Sequence, residues 1–246
     1  MSLCVFLGPS LPLDEARTIL SATYLPPVRR GDVLEAVLRH DATTIAIVDG
    51  YFEAVPSVWH KELLWALERG VAVYGAASMG ALRAAELSQF GMVGIGRIFD
   101  AYVCGRFAPF DGPFEDDDEV AVIHGPAEIG YAASDAMVDM RATLAAAAEA
   151  GIIDGDTMHR LAAAAKAIFY KRRTWKGVLE AADLPETTRS ALRDWVGDNR
   201  VSQKRLDTIA LLRHLRDRTD APQAPPFRFE RTLLWEDALS ARGGTE

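Results

Sequence analysis

Val71-Ala72-Val73-Tyr74-Gly75-Ala76-Ala77-Ser78-Met79-Gly80-Ala81-Leu82-Arg83-Ala84-Ala85-Glu86-Leu87 reads as a buried strand, a tight turn of small residues and a helix, with one serine at the turn. Small residues let such a turn be sharp, and a helix starting near Met79 aims unpaired backbone N–H groups at whatever sits beside Ser78. The pattern is related to the G-x-S-x-G nucleophile elbow but departs from it, because Ala76 stands where the first glycine belongs. Two readings follow for Ser78: an exposed nucleophile with an oxyanion site at Met79, or a serine that only caps the helix.

Outward from that segment, strand and helix signals alternate over the first 125 or so residues. Leu3 to Leu7 reads as a strand closed by Gly8-Pro9-Ser10, and Leu13 to Leu20 as a helix after Pro12. Thr43 to Val48 is a second buried strand ending at Asp49-Gly50, followed by a helix from about Pro56 to Glu68. Strands separated by helices predict an α/β domain with a mostly parallel sheet, in which ligands gather beyond the carboxyl ends of the strands. Asp49, Tyr51 and Ser78 each follow a strand and are expected to lie near one another. A further strand is expected over Glu119 to Ile123, placing His124 at its end.

From Ser134 the texture turns to alanine-rich helix, with helical segments over Ser134–Ala150, Asp154 to about Arg173, Val178–Ala182, Thr187–Val196 and Ser202–Arg218. The expected organisation is an α/β core over 1–130, an all-helical region over 131–220 and an extended tail over 221–246. That tail follows a stiff proline-rich linker, and its aromatics suggest docking.

The 246 residues carry 35 acidic against 27 basic side chains, a net charge of −8, which argues against nucleic acid or an anionic membrane as partner. Cys4 and Cys104 have no metal or disulfide spacing, and the opening apolar run is too short for a signal segment. These point to a cytoplasmic protein with no membrane span. The acidic run Glu115 to Glu119 lacks the spacing of a calcium loop and reads as a solvated loop. Lys166, Lys171, Arg172, Arg173 and Lys176 gather into a basic surface that reads either as a docking patch for an acidic partner or as ordinary surface charge, and Arg29-Arg30 offers a second with the same two readings. No phosphate-binding glycine motif appears, and no metal or other cofactor is expected.

Six segments carry a resemblance to a known family: Phe6 to Ser10, Pro26 to Asp32, Ile47 to Phe52, Val58 to Glu62, Gly75 to Leu87 and His124 to Glu128. Together and in this order the chain resembles the TfuA-like proteins, which accompany YcaO enzymes in peptide-backbone thioamidation. The resemblance implies that the protein helps a YcaO partner engage its peptide, and that it hydrolyses the thiocarboxylated C terminus of a ThiS-type sulfur carrier to release sulfide. ATP chemistry then belongs to the partner. It also implies a Ser-Lys site, with Ser78 in the serine motif and Lys61 the lysine within the matched segments.

Taken from the residues alone, Lys61 lies opposite the Trp59, Leu63, Ala66, Leu67 stripe and reads as solvated. Yet Leu64 and Trp65 flank it, and desolvation there would favour its neutral form. His60 is the nearest rival base, and Asp49, Tyr51 and His124 are supporting residues. Two other functions remain open: a non-catalytic module that recruits partners, and a Ser-Lys amidohydrolase of a small molecule.

Overall fold

The computed structural model describes residues 2–53, 55–123, 134–219 and 225–242. Two compact units divide the chain: Met1–Val103 together with Arg205–Glu246, and Cys104–Lys204. The boundary thus falls before residue 130, and the last long helix returns to the sheet unit rather than staying with the helical one.

In chain order the sheet unit contains β1 (Ser2–Phe6), α1 (Leu13–Ile19), β2 (Thr23–Leu25), α2 (Asp32–His40), β3 (Ala42–Ile47), α3 (His60–Glu68), β4 (Ala72–Ala76), α4 (Met79–Leu87), β5 (Val93–Ile95) and α5 (Arg97–Cys104). The five strands are all parallel in the order β2-β1-β3-β4-β5. This is the doubly wound arrangement whose strand order reverses between β1 and β3, so that the connections from these two strands leave toward opposite faces.

Alternation along the strands builds both layers. Phe6, Ile45, Ile47 and Val73 enter one core with residues of α2, α3 and α4. Val5, Ala46, Val48 and Tyr74 enter the other with Ala16 of α1. The helical unit follows as α6 (Met137–Glu149), α7 (Gly155–Ala167), α8 (Trp175–Ala181) and α9 (Glu186–Asn199).

Next come α10 (Gln203–Asp217) and, at the end of the chain, α11 (Leu233–Ser240). Leu211, Leu212 and Leu215 of α10 fill the second core, and Arg218 just beyond it donates to the Tyr74 hydroxyl at 2.9 Å and to Thr44 Oγ1 at 2.7 Å. That apolar stripe explains why α10 belongs to the sheet. The tail docks on its own unit and is helical from Leu233 onward, not extended throughout. Trp235 packs against Trp65 and Phe229, with ring centroids 5.9 and 5.1 Å apart.

Residues 119–123 form no strand. Glu119 closes a 3-10 turn, Asp117–Glu119; beyond it the Val120 and Ala121 N–H groups donate to Asp117 O at 3.1 and 2.9 Å, and Val120 O accepts from Lys204 Nζ at 3.0 Å. The acidic run is solvated over Glu115, Asp116 and Asp117, but its last two carboxylates are not. Glu119 is fully buried and receives Arg141 through both of its oxygens at 2.9 Å and Lys166 at 2.9 Å. Arg173 Nη2 donates to both Asp118 oxygens, at 2.9 and 2.8 Å, and to Ile168 O at 3.0 Å. Arg141, Lys166 and Arg173 thus displace water from Asp118 and Glu119, the end of the run. Among the described residues no helix is long and apolar enough to cross a membrane.

Candidate functional site at the carboxyl edge of the sheet

The connections after β1, β3 and β4 meet the edge where a doubly wound sheet places its ligands. After β3 the chain reaches Asp49, which is fully buried. Its Oδ2 accepts the N–H groups of Gly8 at 2.9 Å and Ser10 at 3.1 Å, and its Oδ1 accepts the Ser10 hydroxyl at 2.6 Å. Asp49 therefore staples the loop after β1 across the switch point.

The next residue brings the two turns together. A Cβ on Gly50 would lie 2.8 Å from the Met79 side chain, so only glycine lets the start of α4 pack against the β3 connection. Gly80 serves the same approach, since a Cβ there would fall 1.8 Å from Ile47 O, and its N–H donates to Val48 O at 3.2 Å.

Between these contacts the β4–α4 turn is drawn tight. Ala77 has φ +65°, a left-handed conformation that costs a residue with a Cβ and is held only where its surroundings impose it. The Ser78 N–H folds back on Ala76 O at 2.8 Å, and Ser78 O accepts from Ala81 and Leu82 at 3.0 and 3.3 Å. The Ser78 side chain makes no capping hydrogen bond to the helix. Ser78 therefore holds the N-cap position through its carbonyl, while its side chain contributes no cap. The Met79 N–H has no acceptor among the described residues, and it occupies the position that supplies an oxyanion donor in a nucleophile elbow. Ser78 itself is 2% exposed.

The other sequence-derived residues separate. Lys61 Nζ donates to Glu230 O at 2.6 Å and to Thr232 Oγ1 at 3.4 Å, and lies 5.3 Å from the Phe229 ring. No hydrogen bond joins it to Ser78. His60 Nε2 is 2.8 Å from Glu86 Oε2, which also accepts from Arg83 at 2.6 Å. Glu86 stands seven residues beyond Met79, about 10 Å along α4 at 1.5 Å per residue, so that pairing ties His60 to the far end of the serine helix. His124 and the segment through Glu128 lie outside the described residues.

Tyr51 and Arg29 meet in a cavity of about 490 Å³ that also takes in Phe6, Leu25, Pro27 and Asp32, beside the carboxyl ends of β1 and β2. Arg29 is exposed and pairs with Asp32 at 3.5 Å. Arg30 instead stacks on Trp59, its guanidinium carbon 3.4 Å from the ring centroid, so the two arginines do not act as one patch. In the helical unit Lys171 and Arg172 are exposed, but Arg173 is fully buried against Asp118 and presents no docking surface. The geometry of charge pairing decides this, because both carboxylate oxygens of Asp118 and backbone carbonyls hold the buried guanidinium in place of water.

In the sheet unit, Glu62 escaped the sequence reading. Glu62, 1% exposed on α3, accepts the Gly31 N–H with both oxygens at 2.8 Å and the Trp59 N–H at 3.5 Å. Burial pushes its carboxyl up to about 7, against the opposing pull of those N–H groups and of Arg242. The signal was present: Glu62 lies one turn before Ala66, on the helix's own apolar stripe.

A model of the TfuA-like protein family matches residues 49–174, just over half of the chain. The chain belongs to the TfuA-like family. The matched span contains α3 and the whole Ser78 turn. No curated protein matches the chain.

Proposed function

We propose that this TfuA-like protein is an accessory hydrolase of peptide thioamidation that releases sulfide from a thiocarboxylated ThiS-type carrier and supports a YcaO partner in engaging its peptide. The observation that carries the catalytic part is the Ser78 turn: a serine hydroxyl freed from helix capping, next to a strained Ala77 and an unpaired Met79 N–H. In this reading Ser78 Oγ loses its proton to a base and attacks the thioacyl carbon, while the Met79 N–H holds the developing oxyanion. Collapse expels hydrosulfide, and water then cleaves the acyl-serine ester to a carboxylate. The general base is Lys61, assigned by the family resemblance. To act, its amine must exchange Glu230 O and Thr232 for the serine and its bound substrate, giving up its proton in a water-poor setting.

One observation favours a second reading, a recruiting module without chemistry: Lys61 is held by the chain's own tail. Incubating the purified protein with a thiocarboxylated carrier separates the two. The hydrolase reading predicts sulfide release that Lys61→Ala abolishes at neutral pH and Lys61→Arg does not restore, arginine staying protonated. A protein that releases no sulfide yet raises YcaO turnover of its peptide would establish the recruiting module instead.

A further inference from the structure

Within the helical unit, α8 and α9 enclose a cavity of about 390 Å³, a size that accepts a side chain or two of a ligand. Its apolar part is made by Trp175, Leu179 and Val196, which are 6%, 4% and 2% exposed. Three cations line it, Lys176, Arg193 and Arg200, with one lining carboxylate, Glu180, and a second, Asp135, beside Arg200. The cations are weakly engaged. Arg193 is exposed and has no partner among the described residues, Lys176 reaches Glu180 only at 3.9 Å, and Arg200 reaches Asp135 at 3.5 Å. In a chain of net charge −8, an open groove with this local surplus of positive charge is the reverse of the protein's average surface.

Gly197 supplies an independent observation. It lines the groove from the last turn of α9, its φ is not left-handed, and a Cβ built on it would meet nothing within 4 Å. No backbone requirement or steric conflict calls for glycine there, and glycine is among the poorest helix formers. Its position leaves open space at the groove that a larger side chain would occupy.

We infer that this groove docks an acidic segment of a partner protein, seating one apolar side chain over Trp175 while Lys176, Arg193 and Arg200 meet the flanking carboxylates. An apolar floor with a charged rim is how helical grooves read peptides, and the rim sets specificity and encounter rate. Neither a membrane nor nucleic acid fits as well, because both need a broader basic field than three cations on an acidic protein.

The test uses the full chain and a fluorescent twelve-residue peptide in which Asp and Glu flank a single Leu, followed by anisotropy at low salt. Saturable binding is expected, weakened at least tenfold by Arg193→Glu and by raising salt to 0.5 M, and lost when the peptide's acids are replaced by Lys. Gly197→Leu fills the groove without touching any charge. It should leave the helical circular dichroism intact and weaken binding at least tenfold. Absence of saturable binding, equal binding of the Lys peptide, an Arg193→Glu protein that binds as tightly as the parent, or a folded Gly197→Leu protein with unchanged affinity would each overturn the inference. Displacement of the peptide by millimolar inorganic phosphate at constant ionic strength would also overturn it, by reducing the groove to a simple anion site.

Discussion

The two turns that meet at the carboxyl edge of the sheet, after β3 and after β4, are buried alike at Asp49 and Ser78, yet they are finished differently. At the first, the Asp49 carboxylate collects two backbone N–H groups and a hydroxyl and closes the loop after β1. At the second, the Ser78 side chain makes no capping bond, the Met79 N–H has no acceptor among the described residues, and Ala77 is held at φ +65°. Polar groups brought together and satisfied hold a fold. Polar groups brought together under strain and left open are the ones available for chemistry. Glu62 stands between these cases, since it accepts backbone N–H groups as Asp49 does but is too deeply buried to keep its charge easily.

The contrast breaks most readily at Asp49. Asp49→Ala leaves the part-buried Gly8 N–H and the buried Ser10 N–H without their acceptor and should destabilise the sheet unit by about 3 kcal/mol or more, read as a lower urea midpoint. A loss below about 1 kcal/mol would mean that the loop after β1 holds itself and the saturated turn is no staple.

Glu62 sharpens the middle case through pH. Its folded carboxyl titrates at about 7 against an ordinary 4.5, so the native state binds more protons than the unfolded chain between these values. Stability from this group is therefore highest at and below pH 4.5 and is lost as pH rises through 7, by about 3 kcal/mol in all. Glu62→Gln removes that slope, so unfolding measured from pH 5 to 8 should be flatter in the variant. Parallel curves would show that the N–H groups of Gly31 and Trp59 keep the carboxylate charged.

The residues that announced the fold were those with unbroken apolar runs. Leu3 to Leu7, Thr43 to Val48 and Val71 to Tyr74 showed themselves because central parallel strands are buried on both faces. The edge strands β2 and β5 are three residues each and only partly buried at most positions, too short to set a period against their surroundings. The run Val120-Ala121-Val122 was equally apolar but is buried without a strand partner, which periodicity cannot distinguish. Burial of charge was the hardest to read. Arg173 sits in a cluster of basic residues, and only the fold brings Asp118 to it. At the site, the serine turn was legible because glycine and alanine spacing fixes a turn locally. The partners of Lys61 and His60 were not, because they come from the tail and from α4.

The smallest structural effect belongs to the most consequential residue. A helix cap would cost about 1 kcal/mol on conversion to alanine, whereas a Ser78 whose side chain caps nothing should change stability by less than about 0.5 kcal/mol. Sulfide release from the thiocarboxylated carrier, followed in parent and Ser78→Ala proteins whose unfolding midpoints are recorded alongside, tests the account most directly. The account predicts a midpoint left in place and a rate lower by at least about a hundredfold. A folded Ser78→Ala protein that releases sulfide at the parent rate would contradict it.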